Sequence, residues 1–110
     1  MEITTNKNGE TTVLSIQGSI DSSESSQLNE IPCLKTRTED VVIDLSEVDF
    51  MDSMGLGVLV GIIRGFTDSD HSLVFTSPRP IVLKTLSMTG IDRIITIAES
   101  VDDALATLKS

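Results

Sequence analysis

The 110-residue chain of 11.8 kDa, with 39% apolar residues, seven Gly and three Pro, has the size and composition of one compact domain spanning residues 1–110. Seventeen acidic residues against eight basic ones give a net charge of -9, which repels nucleic-acid backbones and anionic membranes and favours a basic protein partner. No run approaches the ~20 apolar residues that span a bilayer, and the start MEITTNKNGETT lacks a basic segment leading into a hydrophobic one, so a cytoplasmic protein is expected.

In chain order, Glu2 to Thr5 reads as a short polar edge strand, with Gly9 closing a hairpin. TVLSIQ, from Thr12 to Gln17, alternates as a second strand, with Val13 and Ser15 on one face and Leu14 and Ile16 on the other. In GSIDSSESSQLNEI, Asp21 or Ser22 caps a helix whose Leu28 and Ile31 face the core, and Pro32 ends or bends it. VVIDL, from Val41 to Leu45, is nearly continuously apolar, as suits an interior strand covered by helices. Asp49 to Asp52 is read as the loop that follows.

Asp52 or Ser53 then caps a very apolar, glycine-rich helix over GLGVLVGIIRGF. Leu56, Leu59, Val60 and Ile63 follow the i, i+3, i+4, i+7 spacing of a core stripe. Met54, Val58, Gly61, Ile62 and Gly65 form a second stripe, where a surface helix is normally polar. Each of the helix's four glycines costs up to ~1 kcal/mol relative to alanine, so close approach of another backbone is a physical reason to place them there. A two-faced helix of this kind predicts that Val58→Asp or Ile62→Asp weakens partner capture, whereas Leu59→Asp or Ile63→Asp damages the domain.

Thr67 to Ser72 is a turn, and LVFT, from Leu73 to Thr76, is another interior strand. SPRP leads into a helix containing Leu83 and Leu86, TGIDR turns the chain, and Ile94 to Ile97 forms a last short strand. Ser100 caps a final helix with Val101, Ala104, Leu105 and Leu108 on its inner stripe. The alternation predicts an α/β domain: a small mixed β-sheet with helices packed mainly on one face.

Chemistry of other kinds is poorly supplied. His71, the single histidine, lies in the turn TDSDHS with no second imidazole or cysteine beside it, and no calcium-loop spacing of carboxylates surrounds it. Cys33 stands alone and reads as a small buried hydrophobe. The GLG triplet belongs to no GxxxxGK[ST] loop, and Val60 stands where a GxGxxG pattern needs its third glycine. No base, nucleophile and electrophilic stabiliser assemble into an enzyme's site, and no cofactor or metal is expected. Free N–H groups at the helix start offer an anion a place near Ser53.

DFMDSMGLG, preceded by VVIDLSEVDF and joined to the upstream GSID, resembles the anti-sigma factor antagonist family, the STAS domain. SPRPIVLKTLSMTGIDRIITI is similar to the family's third-helix and final-strand region, so the resemblance covers essentially the whole chain. It implies a phosphorylation-controlled switch that is monomeric when free. Ser53 carries over as the phosphate acceptor and Asp21 as the aspartate of the upstream glycine-x-x-aspartate element. The implied partner is an anti-sigma factor serine kinase with a histidine-kinase-like ATPase fold. Unphosphorylated antagonist binds it and frees the sigma factor, phosphorylation abolishes binding, and a metal-dependent serine phosphatase resets the switch. Asp21, Asp52, Met54, Gly55, Val58, Gly61 and Ile62 are the expected partner-binding residues. Met54 departs from the family, which often carries serine, threonine or alanine there, and either alters kinase docking without removing the acceptor or enlarges an apolar contact.

The chemistry of the residues is compatible with that cycle. A phosphate on Ser53 adds about -1.5 to -2 charges beside Asp52, Asp49 and Asp21. Two other classes remain open: a constitutive STAS interaction module without phosphate control, and a sensor of a small ligand or anion at the helix N-terminus.

Overall fold

A computed structural model describes residues 1–109. The first strand, β1 (Glu2–Asn8), turns through Gly9, whose φ of +62° favours a residue without a Cβ, into β2 (Thr11–Ile20). The two pair antiparallel with Asn8 opposite Thr11. After them come a 3₁₀ turn at Ser25–Glu30, helix α1 (Pro32–Thr36), strand β3 (Asp40–Met51) and helix α2 (Ser53–Thr67). Strand β4 (Leu73–Thr76), helix α3 (Pro80–Met88), a 3₁₀ turn at Ile91–Arg93, strand β5 (Thr96–Ala98) and helix α4 (Val101–Lys109) complete the chain. The sheet order is β1-β2-β3-β4-β5, and every pair after the first is parallel. The result is a mixed five-stranded sheet flanked by helices, as the alternating pattern predicts.

The period-2 alternation of β2 decides which helices cover which face. Leu14 and Ile16 join Val41, Ile43, Leu45 and Phe75 in the main core beneath α1, α2 and α3, whereas Val13 joins Val42 and Val74 beneath Ala104 and Leu105 of α4. Among the described residues the last helix alone of the helices packs in that second cluster, and Ser100 caps it as expected, its Oγ accepting from Asp103 N at 3.1 Å. Cys33 is buried, as read from the sequence.

Apart from strand bounds, with β1 running to Asn8 rather than Thr5 and β5 covering Thr96–Ala98 rather than Ile94–Ile97, three segments differ from expectation. Strand β3 runs on through Asp49 and Phe50 to Met51, so the expected Asp49–Asp52 loop is strand almost to its end. The serine-rich segment after Asp21 is a tight turn and one 3₁₀ stretch rather than a helix, and Pro32 starts α1 instead of ending a helix. Serine competes with the helix by bonding local backbone, and Asp21 does the same here.

The third difference is the phase of α2. Its buried face is Gly55, Leu59, Ile62, Ile63 and Phe66, whereas Leu56 and Val60 are half-buried. Ile62 is 4% exposed and belongs to the core, so it cannot be a partner-facing residue. The exposed face is Met54, Gly57, Gly61 and Arg64, with Val58 half-buried at its edge. Truncation of a buried Ile costs about 2–5 kcal/mol, and a carboxylate in its place costs more. Ile62→Asp is therefore expected to unfold the domain as Leu59→Asp and Ile63→Asp do, and Val58→Asp to leave cooperative unfolding near wild type. Denaturant midpoints of the four variants test this.

Candidate functional site

Parallel strands β2 and β3 end side by side, with Ile20 opposite Met51, and the chain leaves both ends through short connections. Asp21 leaves from β2 and Asp52 from β3, which brings two aspartates distant in sequence to one edge of the sheet. Asp52 is extended, with φ -107° and ψ -180°, and is the N-cap of α2: its Oδ1 accepts from Gly55 N at 2.8 Å. Its second oxygen, Oδ2, accepts from Ser22 N at 2.9 Å. The Gly55 N–H, and after it the Ser22 N–H, hold the Asp52 carboxyl below the usual aspartate range.

Ser53 is the first residue of α2 and is exposed, its hydroxyl at the positive end of the helix dipole. Met54, 60% exposed, follows it, and Phe50, 53% exposed, precedes it on the end of β3. Asp49, expected in a loop, is in strand β3 and accepts from Ser19 Oγ at 3.1 Å, a strand-to-strand contact. Asp21 Oδ1 accepts from Ser23 N at 3.1 Å and Ser23 Oγ at 2.7 Å, and its carbonyl accepts from Ser25 N at 2.8 Å. Asp21 thus shapes its own turn.

The four glycines of α2 divide into two kinds. A Cβ on Gly55 would lie 2.0 Å from the carbonyl oxygen of Ile20, and one on Gly65 would lie 2.7 Å from the Arg37 guanidinium. Gly55 is required by packing, because its neighbour is fixed backbone, whereas the flexible end of the Arg37 side chain can move away from a Cβ at Gly65. A Cβ on Gly57 or Gly61 would meet nothing within 4 Å. Of the expected partner-facing residues, Asp21, Asp52, Met54, Val58 and Gly61 therefore share a surface around Ser53, whereas Gly55 and Ile62 face inward. Gly57 joins that surface and was not anticipated; Phe50, next to core residue Met51 and paired with Ser19, points to the opposite face of the sheet from α2.

Other groups lie elsewhere. A cleft of about 530 Å³ lined by Asp40, Asp70, His71 and Ile94 opens where β3 and β4 begin, at the opposite end of β3 from Ser53. His71 Nδ1 stands 3.4 Å from Asp40 in that region, the turn role read from the sequence. Among the described residues no helix is long and apolar enough to cross a membrane.

The sequence profile of the STAS domain matches residues 2–104. The chain belongs to the STAS domain family. Among curated relatives, a candidate anti-sigma factor antagonist from Thermotoga maritima is 32% identical over 69 residues, a match that spans 63% of this chain and 61% of that relative. A crystal structure of a candidate anti-sigma factor antagonist from the same organism superposes with a TM-score of 0.91 at 22% identity, covering 98% of this chain and 95% of the other. A serine-to-glutamate variant of RsbS from Moorella thermoacetica gives 0.80 at 26% identity, covering 99% and 96%. Anti-sigma factor antagonists of the STAS family are regulatory, non-catalytic modules.

The glycine geometry yields opposite outcomes along one helix. Gly55→Ala is expected to destabilise the STAS domain by at least the about 1–3 kcal/mol typical of overpacking, whereas Gly57→Ala and Gly61→Ala each stabilise it by about 0.4–1 kcal/mol. Equilibrium unfolding of the three variants checks the division. Because the Asp52 carboxyl is held low in the fold, its contribution is fully present above the unfolded-state value of about 3.9. That contribution disappears as pH falls through the lower folded value. In an NMR titration the Gly55 and Ser22 amides are expected to move together, with a midpoint below that of an ordinary aspartate.

Proposed function

We propose that this chain is an anti-sigma factor antagonist whose unphosphorylated form captures an anti-sigma factor serine kinase and thereby releases a sigma factor. Phosphorylation of Ser53 switches capture off. The observation that carries this reading is the placement of Ser53: an exposed hydroxyl on the first turn of α2, next to exposed Met54, with Asp52 and the Asp21 turn beside it. The names of the relatives point the same way.

The contact surface comprises Asp21, Asp52, Met54, Gly57, Val58 and Gly61. Its apolar part supplies area to bury, and its carboxylates select a basic partner. Gly57 and Gly61 have no packing reason inside the domain, and a partner lying against α2 gives them one. The kinase has the histidine-kinase-like ATPase fold, a metal-dependent phosphatase removes the phosphate, and the free antagonist is a monomer. A dianion on Ser53 must be desolvated next to Asp52 when the surface closes, and that penalty ends capture.

Incubation with such a kinase and ATP, followed by site-mapped intact mass and pull-down, tests the reading. One phosphate on Ser53, with capture reduced at least about tenfold, is the expected outcome. Ser53→Ala is expected to remain bound, and Ser53→Glu, the kind of substitution carried by the RsbS variant, to be released. Equal capture of wild type, Ser53→Ala and Ser53→Glu would instead select a constitutive interaction module.

A further inference from the structure

The Asp21 turn and the Ser53 helix end are connected by one side chain. The internal bonds of the turn, from Ser23 to the Asp21 carboxylate and from Glu24 and Ser25 to the Asp21 carbonyl, fix its shape but not its place relative to α2. Two buried anchors hold its flanks: Ile20 on one side, and Ser25 and Leu28 on the other. Ile20 is tied to the helix start, its carbonyl accepting from Asp52 N at 3.3 Å and abutting Gly55. Between those anchors Ser22 and Ser23 are exposed, and Ser22, through its N–H to Asp52 Oδ2 and its hydroxyl to the same carboxylate, joins the turn's tip to α2. Asp52 thus divides its two oxygens between two tasks. Oδ1 caps its own helix through Gly55 N, and Oδ2 holds a segment thirty residues away through Ser22 N.

We propose that Asp52 is a positioning residue that locks the Asp21 turn to the Ser53 end of α2, so that the kinase meets Asp21 and Ser53 as one preassembled surface. This rests on the partner-switch reading for the kinase and adds a role for Asp52 that capping alone does not require. Preassembly matters because a partner that has to order the turn gives up binding free energy to do so. The bond lies beside the acceptor rather than on it, so its loss weakens recognition more than phosphoryl transfer.

The two tasks separate by substitution. Serine and asparagine cap helices about as well as aspartate, but a serine hydroxyl is too short to reach Ser22 while it bonds Gly55 N. Asparagine has one carbonyl oxygen to share and an amide that donates rather than accepts. Asp52→Ser is therefore expected to keep the Gly55 amide protected and the melting temperature near wild type, with Asp52→Asn as the second variant should the first fail to fold. In both, amide exchange at Ser22, measured by NMR on the free protein, is expected to quicken at least about fivefold. The KM for Ser53 phosphorylation is expected to rise about tenfold with kcat within about twofold.

Unchanged Ser22 exchange in the folded variants overturns the lock. Faster Ser22 exchange with an unchanged KM overturns its part in recognition. A wild-type protein that the kinase does not modify on Ser53 defeats the partner-switch reading and the recognition role together, while the exchange measurement still decides whether the lock exists.

Discussion

The approach of the first turn of α2 to the carbonyl of Ile20 is the constraint on which the site is built. Two parallel strands end next to each other, and the chain leaving β3 must turn at once into a helix that passes across the end of β2. Any side chain at Gly55 would occupy the space of the Ile20 carbonyl oxygen. With glycine there, the helix sits low enough for Asp52 to cap it and reach Ser22 with the same carboxylate. The position of Ser53 follows from that arrangement, because a residue one step beyond the N-cap at a sheet edge is left in solvent. Burial thus sets the backbone, the backbone sets the carboxylate, and the carboxylate sets how Ser53 and the Asp21 turn are presented together.

Much of the fold was legible because its strands are either strictly alternating or continuously apolar. TVLSIQ placed Val13 on one face and Leu14 and Ile16 on the other, and the two core clusters divide them in that way. LVFT is buried along its whole length. Boundaries were less legible, and for identifiable reasons. The polar β1 is held by its hairpin partner rather than by a buried face, so its sequence carries little strand signal beyond Thr5. The end of β3 is disguised by two irregularities in its pairing with β2, which interrupt the period-2 pattern between Asp44 and Phe50.

The surface of α2 was legible in kind but not in phase. A helix apolar on nearly every side gives no polar stripe from which to orient it, and its hydrophobic pattern fits more than one rotation. The stripe Leu56, Leu59, Val60, Ile63 and the observed face Gly55, Leu59, Ile62, Ile63, Phe66 share two residues and differ by a partial turn. That rotation was decided by the Gly55 contact with Ile20, a long-range event that spacing does not encode. It moves Ile62 inward and brings Gly57 outward. Of the expected second stripe, Met54 and Gly61 are exposed in either phase, whereas Ile62 is buried and Gly65 is half-buried.

The proposed switch depends on one phosphate having different consequences for folding and for binding. On the free domain a Ser53 phosphate would sit at a helix N-terminus, where an exposed anion is favoured by about 0.3–1 kcal/mol. Nearby Asp52 offsets part of this, so the fold is left close to neutral. At a closed interface the balance changes, because removing a charged group from water costs several kcal/mol unless it meets a counter-charge. A partner selected by the carboxylates of Asp21 and Asp52 already directs its cations to them, and a further dianion needs cations that such a surface has no reason to hold in reserve. In the proposed switch the same modification would be tolerated by the domain and rejected by the complex, so that switching would not require unfolding.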